Sequence, residues 1–202
     1  MIANRFNPLG KRFGKPYAYE VEYLQSPNTT SYIDLGIKTD SDYDFSIKLS
    51  IGSYIGNGCV FGAYYGSGSR AQVLSAVSFS TKRYSFIWDG YTSSDYTVDA
   101  FGFSRIDTIK LTPIQFVFND KTYTRNRSVI NPSDATLYLF NEGTLTRGGT
   151  IARVYYFTVS KKGEVIIDLI PVVDFDGVPC MYNNVNGELY YGNANFIAGE
   201  RI

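Results

Sequence analysis

The chain has no histidine among its 202 residues. That excludes a Ser-His-Asp triad, a Cys-His pair and any His-ligated metal. Cysteine is nearly as scarce. Cys59 and Cys180 are the two present, and no C-x-x-C pair exists, so a structural zinc site is not expected. The two could pair, but small thiols are commonly buried, and the expectation is two core hydrophobes. Neither sign of charge is in excess, with 19 basic and 19 acidic residues. A nucleic-acid binder normally carries a basic surplus, so none is expected as a partner. No apolar run approaches the roughly 20 residues of a membrane span. The opening MIANRFNPLGKRFGKPYAY is basic but has no apolar stretch of the kind a secretory signal needs. The expectation is a protein that stays in the cytoplasm where it is made, or leaves by lysis or inside a particle. Helical patterning is missing too, because no window repeats apolar residues at i, i+3, i+4 and i+7 between caps.

Aromatics and glycine are what the chain has instead: 18 Tyr, 14 Phe and 19 Gly. Tyr and Phe suit a pleated, half-buried surface, and Gly suits tight turns. Residues 43–51, YDFSIKLSI, alternate cleanly. Tyr43, Phe45, Ile47, Leu49 and Ile51 share one face, and Asp44, Ser46, Lys48 and Ser50 the other, as in a strand with one wet side. Further strands are read at 21–25, 32–35, 58–65, 71–80, 83–88, 107–111, 114–118 and 136–140, with a weak one within 91–105. Residues 151–159 (IARVYYFTV) and 165–173 (VIIDLIPVV) are largely apolar on both faces and read as central strands covered on both sides. Lys161-Lys162-Gly163 and Asn119-Asp120-Lys121 read as hairpin turns. Pro171 has no N–H, so the second late strand is expected to bend or end there. A dozen or more short strands at this spacing point to one all-β domain, a sandwich or jelly roll.

Residues 1–16 stand apart. They hold Arg5, Lys11, Arg12 and Lys15 with no acid, and Asn7-Pro8, Gly10, Gly14 and Pro16 break any period. One reading is a solvated terminus. The other is an arm that orders against a partner, with Arg5, Phe6, Leu9, Lys11, Arg12 and Phe13 as attachment residues. The domain proper would then be 17–202.

Without histidine, hydrolysis would rest on carboxylates, and paired carboxylates suffice for glycoside hydrolysis. Of Glu20, Glu22, Glu142, Glu164, Glu188 and Glu200, none falls in an E-x-D-x-x-E strand, and Glu20 and Glu22 alone share a strand face by spacing. Catalysis is therefore not expected. Asp40, Asp42 and Asp44 would project to one side of a continuous strand and suit calcium, but a charged turn and wet strand edge is the favoured reading. Asp174-Phe175-Asp176-Gly177 opens like a calcium loop, yet the twelfth position holds Val185 rather than Glu. A turn is expected there instead, and neither metal nor cofactor is. Tyr64, Tyr65, Trp88, Asp89, Tyr91 and Tyr96 lie near turns and are the glycan-binding candidates. Rings there would cover a sugar's C–H face while polar groups take its hydroxyls, although most Tyr in such a fold simply pack.

Five stretches in order carry a resemblance: VEYLQSPNTTSYIDLGIKTDSDYDFSIKLSI, CVFGAYY, TLYLFN, ARVYYFTV and GEVIIDLIPVVDFDGVPCMYNNVNGELYYGNANFIAG. Over roughly residues 20–200 the chain resembles concanavalin A-like, laminin-G-like jelly-roll domains of gut bacteria, phages and prophages. The resemblance is densest at the closing segment and thin across 90–130. It implies a sandwich of two antiparallel sheets. The matched segments are framework, so no ligand residues follow from them, and the fold hosts lectins, glycosidases and purely structural modules. The expected function is a non-catalytic phage or prophage virion module, such as a decoration, fibre or tail-associated protein. Its arm would attach to other virion proteins, and its sandwich would face host or mucosal glycans, in a homo-oligomer. The alternative is a lectin-like module of a bacterial surface protein, and a carboxylate glycosidase is the third reading.

Overall fold

The computed structural model describes residues 14–53, 58–63, 72–77, 83–88, 96–99, 105–124, 135–142 and 149–202. Within 72–77, 83–88 and 96–99, the side chains described are those of Leu74, Tyr84 and Phe86. The strands, in chain order, begin with β1 (Tyr19–Glu20), β2 (Leu24–Gln25), β3 (Ile33–Lys38), β4 (Tyr43–Ser53), β5 (Gly58–Ala63) and β6 (Gln72–Val77). They continue with β7 (Arg83–Trp88), β8 (Tyr96–Asp99), β9 (Asp107–Leu111), β10 (Gln115–Phe118), β11 (Lys121–Thr124) and β12 (Thr136–Leu139). The last are β13 (Ile151–Lys161), β14 (Glu164–Val173), β15 (Pro179–Asn183), β16 (Leu189–Tyr190) and β17 (Ile197–Ala198). No helix occurs among the described residues.

Two antiparallel sheets form a sandwich. The larger runs β11-β10-β9-β4-β13-β14-β15-β16, with β1 on β14, β2 on β13 and β17 on β2; the smaller runs β3-β12-β5-β6-β7-β8. Alternation along β4 sends Phe45, Ile47, Leu49 and Ile51 into the space between the sheets, where they are buried. There Phe61 of the small sheet meets Phe45 and Phe157 of the large one, at ring-centroid distances of 5.2 and 5.0 Å. Each such ring contributes about 1.5–3 kcal/mol by leaving water. Cys59 and Cys180 are both buried as thiols, one in each sheet.

The hairpin expectations hold. Lys162 and Gly163 take φ of 51° and 82°, the pair of positive angles that matches a two-residue turn to the strands' twist. Asn119 takes φ of 51° at the β10–β11 turn.

Three strand readings change. Residues 21–25 are not one strand. Val21 and Leu24 are both buried, a spacing of three that a single strand cannot satisfy. The chain pairs with β14 through β1, bends at Glu22, and pairs with β13 through β2. The C-terminal residues tie this bend down: Glu22 N–H donates to the Glu200 carbonyl (2.9 Å) and Gly199 N–H to the Tyr23 carbonyl (2.9 Å).

β14 does not end at Pro171 but continues to Val173, with Pro171 opposite Met181. N–H and C=O of one strand residue point the same way. The Pro171 carbonyl accepts from Val21 N–H (3.1 Å), so the missing donor faces that side. There β13 has already given way to the short β1 as neighbour.

β13 is central, between β4 and β14, but one of its faces is only half-buried. Its register slips between Val154 and Tyr156. This β-bulge switches the inward set from Ala152 and Val154 to Phe157 and Val159. Tyr155 and Tyr156 are left half-buried side by side, the re-aiming that a bulge produces.

Candidate binding face

The expected site residues lie largely elsewhere than the described structure. Arg5, Phe6, Leu9, Lys11, Arg12 and Phe13 fall outside the described residues, as do Tyr64, Tyr65, Asp89 and Tyr91. Trp88 and Tyr96 are placed by backbone alone, opposite Gln72 and Phe86. Of the arm, residues 14–16 are described, and Lys15 pairs with Glu20 (2.5 Å). The Lys15 ammonium and the Tyr17 hydroxyl, both bonded to Glu20, hold its carboxyl below its ordinary range.

The acids considered for calcium are dispersed. Asp40 accepts from Asp42 N–H (2.8 Å) in a turn and lies 3.8 Å from Lys161, while Asp42 faces Lys162 at 3.4 Å. Asp44 alone of the three is on a strand. Among the described residues no cluster of three or more potential ligands is drawn together. Asp174 serves its own turn. One oxygen accepts from Asp176 N–H (2.9 Å) and Val178 N–H (2.8 Å), the other from the Tyr191 hydroxyl (2.9 Å). Burial opposes its charge, but those donors outweigh it and keep the carboxyl below its usual value. Gly177 completes the turn with φ of 83°, where a Cβ would be strained.

Asp107 is buried at 0% exposure. It accepts from Arg105 Nε (2.7 Å), Tyr84 Oη (3.1 Å) and Asn119 Nδ2 (3.2 Å). Because Tyr84 belongs to the small sheet and Asp107 to the large one, the carboxylate is a polar rivet between them. Burial, with Asp107 next, pushes the Tyr84 hydroxyl well above its ordinary pKa. A fully satisfied network of this kind favours a single packing of the sheets.

The outer face of the large sheet differs. A groove of about 370 Å³ crosses β9, β4 and β13, lined by Asp44, Ser46, Lys110, Thr112, Thr158 and Ser160, where the Phe45 and Leu111 side chains turn away into the core. Register explains the set. Ser46 stands opposite Lys110 on one side and Thr158 on the other, and Asp44 opposite Ser160. Alternation puts these polar side chains outward together because their neighbours fill the core. Burial alone pushes the Asp44 carboxyl above its ordinary pKa.

Further along the same face, two residues per step, come Lys48 and Ser50. Lys48 stands opposite Thr108 and Tyr156, and Ser50 opposite Arg153. The Lys48 ammonium lies over the Tyr155 ring (5.6 Å), and the Arg153 guanidinium over the Tyr23 ring (4.7 Å). The two tyrosines meet edge to face at 5.7 Å, and the Ser50 and Tyr155 hydroxyls are 3.5 Å apart. Arg153 Nε also donates to Gln25 (2.8 Å). Nearby, Arg201 covers the Tyr19 ring at 4.9 Å.

Reading for sugar sites at turns missed this face. The available signals were the hydroxylated wet side of YDFSIKLSI and the Tyr155-Tyr156 pair, where alternation fails inside a strand. Among the described residues no helix is long and apolar enough to cross a membrane. No protein-family model matches the chain, and no curated protein matches it.

Proposed function

We propose that this chain is a non-catalytic, glycan-binding β-sandwich of the concanavalin A-like, laminin-G-like jelly-roll kind, carried on a phage or prophage particle by its N-terminal arm. The observation that carries the binding reading is the groove across β9, β4 and β13. It offers hydroxyls from Ser46, Thr158 and Ser160, one carboxylate from Asp44 and one ammonium from Lys110. Donors and acceptors of mixed type on a half-buried surface suit a polyhydroxylated ligand.

Glycoside hydrolysis asks for two carboxyl groups flanking one bond, whereas the groove lining holds one. Glu20, the best-placed glutamate by spacing, is engaged by Lys15 and Tyr17. The particle assignment rests on the resemblance over roughly residues 20–200 and on the basic, phenylalanine-bearing segment ahead of it. On this reading the protein is made in the host cytoplasm and resides in the virion, with virion proteins as partners of the arm.

A glycan array with the whole chain, followed by titration of any hit against Ser46→Tyr, tests the binding reading. Binding lost in S46Y, with folding intact, supports it. Absence of any bound sugar at millimolar concentration sinks it. Particle attachment is tested separately by deleting residues 1–13, which should release the protein from particles; unchanged association would remove the arm's proposed role.

A further inference from the structure

Three cations cross the outer face of the large sheet diagonally. Lys110 on β9 is level with Ser46, Lys48 lies two residues further along β4, and Arg153 on β13 is level with Ser50. Successive Cα atoms are therefore roughly 8 Å apart, given about 3.3 Å per residue and about 4.8 Å between strands. Among the described residues none of the three forms an ion pair with a carboxylate. Elsewhere the lysines flanking the β13–β14 turn do have acids, Asp40 and Asp42.

Two acids share the diagonal's face. Asp44 lies at the far end of the groove from Arg153. Asp168 lies beyond Thr158 and is held by Asn184 Nδ2 (3.0 Å) and the Thr158 hydroxyl (3.4 Å). Neither answers Lys48 or Arg153. These two cations rest instead on the faces of Tyr155 and Tyr23. Ring contact holds a cation in place without neutralising it, and the chain as a whole has no net charge. The diagonal is thus a local surplus of positive charge beside a row of hydroxyls.

We infer that the ligand of this face is an acidic glycan, a chain of sugars bearing carboxylates, lying along β4 from the groove to Arg153. Arg153 supplies a planar fork matched to a carboxylate, and Lys48 and Lys110 supply point charges. Ser46, Thr158 and Ser160 face the sugar hydroxyls. The inference rests on the glycan-binding reading and narrows it to one chemical class. Nucleic acid fits less well, because the ring faces its bases would stack on already carry Arg153 and Lys48.

The test uses the whole chain and three probes: fragments of homogalacturonan, alginate and hyaluronan, each beside its methyl ester, which keeps the sugar and removes the charge. Titration calorimetry should show at least one free acid binding about tenfold more tightly than its ester, with the gap closing as salt rises and screening shortens. Arg153→Gln and Lys48→Gln should each narrow the gap between the acid and its ester. Equal binding of acid and ester overturns the acidic assignment and leaves the glycan reading standing. No binding of any sugar overturns both. Competition by polyglutamate as strong as that by the sugar acid also overturns the assignment, since charge alone would then be recognised.

Discussion

From Gly163 onward many polar side chains of the closing segment are used by the chain itself, whereas several of those lining the groove across β9, β4 and β13 are not. Asp174 caps its own turn and takes the Tyr191 hydroxyl. Asn183 Oδ1 accepts from Asp168 N–H and Val185 N–H, and Asn186 Oδ1 from Glu188 N–H. In the groove Thr112 accepts from the amides of its own turn and Thr158 donates to Asp168, but among the described residues Asp44, Ser46, Lys110 and Ser160 make no side-chain hydrogen bond. Both regions look equally polar and tyrosine-rich in one dimension. The difference is whether the backbone nearby has donors to spare. A turn supplies backbone donors at short range, while the middle of a strand has already committed its backbone to its neighbours. Polar groups on a sheet face are thus left to water or to a ligand.

This contrast can be broken at several points. The largest effect is expected beneath the face. Phe157→Ala removes a ring that packs against both Phe45 and Phe61 and should cost about 3–5 kcal/mol, seen as a lower denaturation midpoint. A loss below about 1 kcal/mol would mean that the two sheets do not share this core.

Next comes the framework turn. Asp174→Ala leaves the Asp176 and Val178 amides and the Tyr191 hydroxyl without their acceptor, which should cost about 1–3 kcal/mol. The effect has a pH signature. Because the folded carboxyl titrates below its unfolded value, its stabilisation is complete above the unfolded pKa of about 3.9 and is lost as pH falls through the folded one. The gap between wild type and D174A should therefore be constant at neutral pH and shrink below about pH 4. A gap that persisted in strong acid would refute the turn's dependence on the carboxylate.

The smallest effect on stability is expected on the binding face. Ser46→Ala and Thr158→Ala should each change stability by no more than about 0.5 kcal/mol while weakening sugar binding several-fold. If either variant unfolded as readily as D174A, the face would be framework like the closing segment.

The closing segment was legible because its signals are local. Asp176-Gly177, Asn186-Gly187 and Lys162-Gly163 each name a turn by residue type, and positive φ is found at all three glycines. The alternation of YDFSIKLSI likewise sorted β4 into a buried and a wet side, except at Ser50, which is fully buried beside Tyr155. Where local pattern misled, neighbours decided. Pro171 was tolerated because its missing N–H falls where β14 changes partner. Residues 151–159 looked apolar on both sides because a bulge between Val154 and Tyr156 switches the inward parity.

By itself, then, the sequence determined an all-β chain without histidine chemistry, with its turns and the inward face of β4. Hydrophobic alternation and turn chemistry act between residues close in the chain, so one dimension records them. Only the tertiary structure decided that Lys110, Lys48 and Arg153 form one diagonal, that Ser46 and Thr158 share one groove, and that Asp107 joins the two sheets. Register between strands distant in sequence sets each of these, and no short-range pattern encodes it.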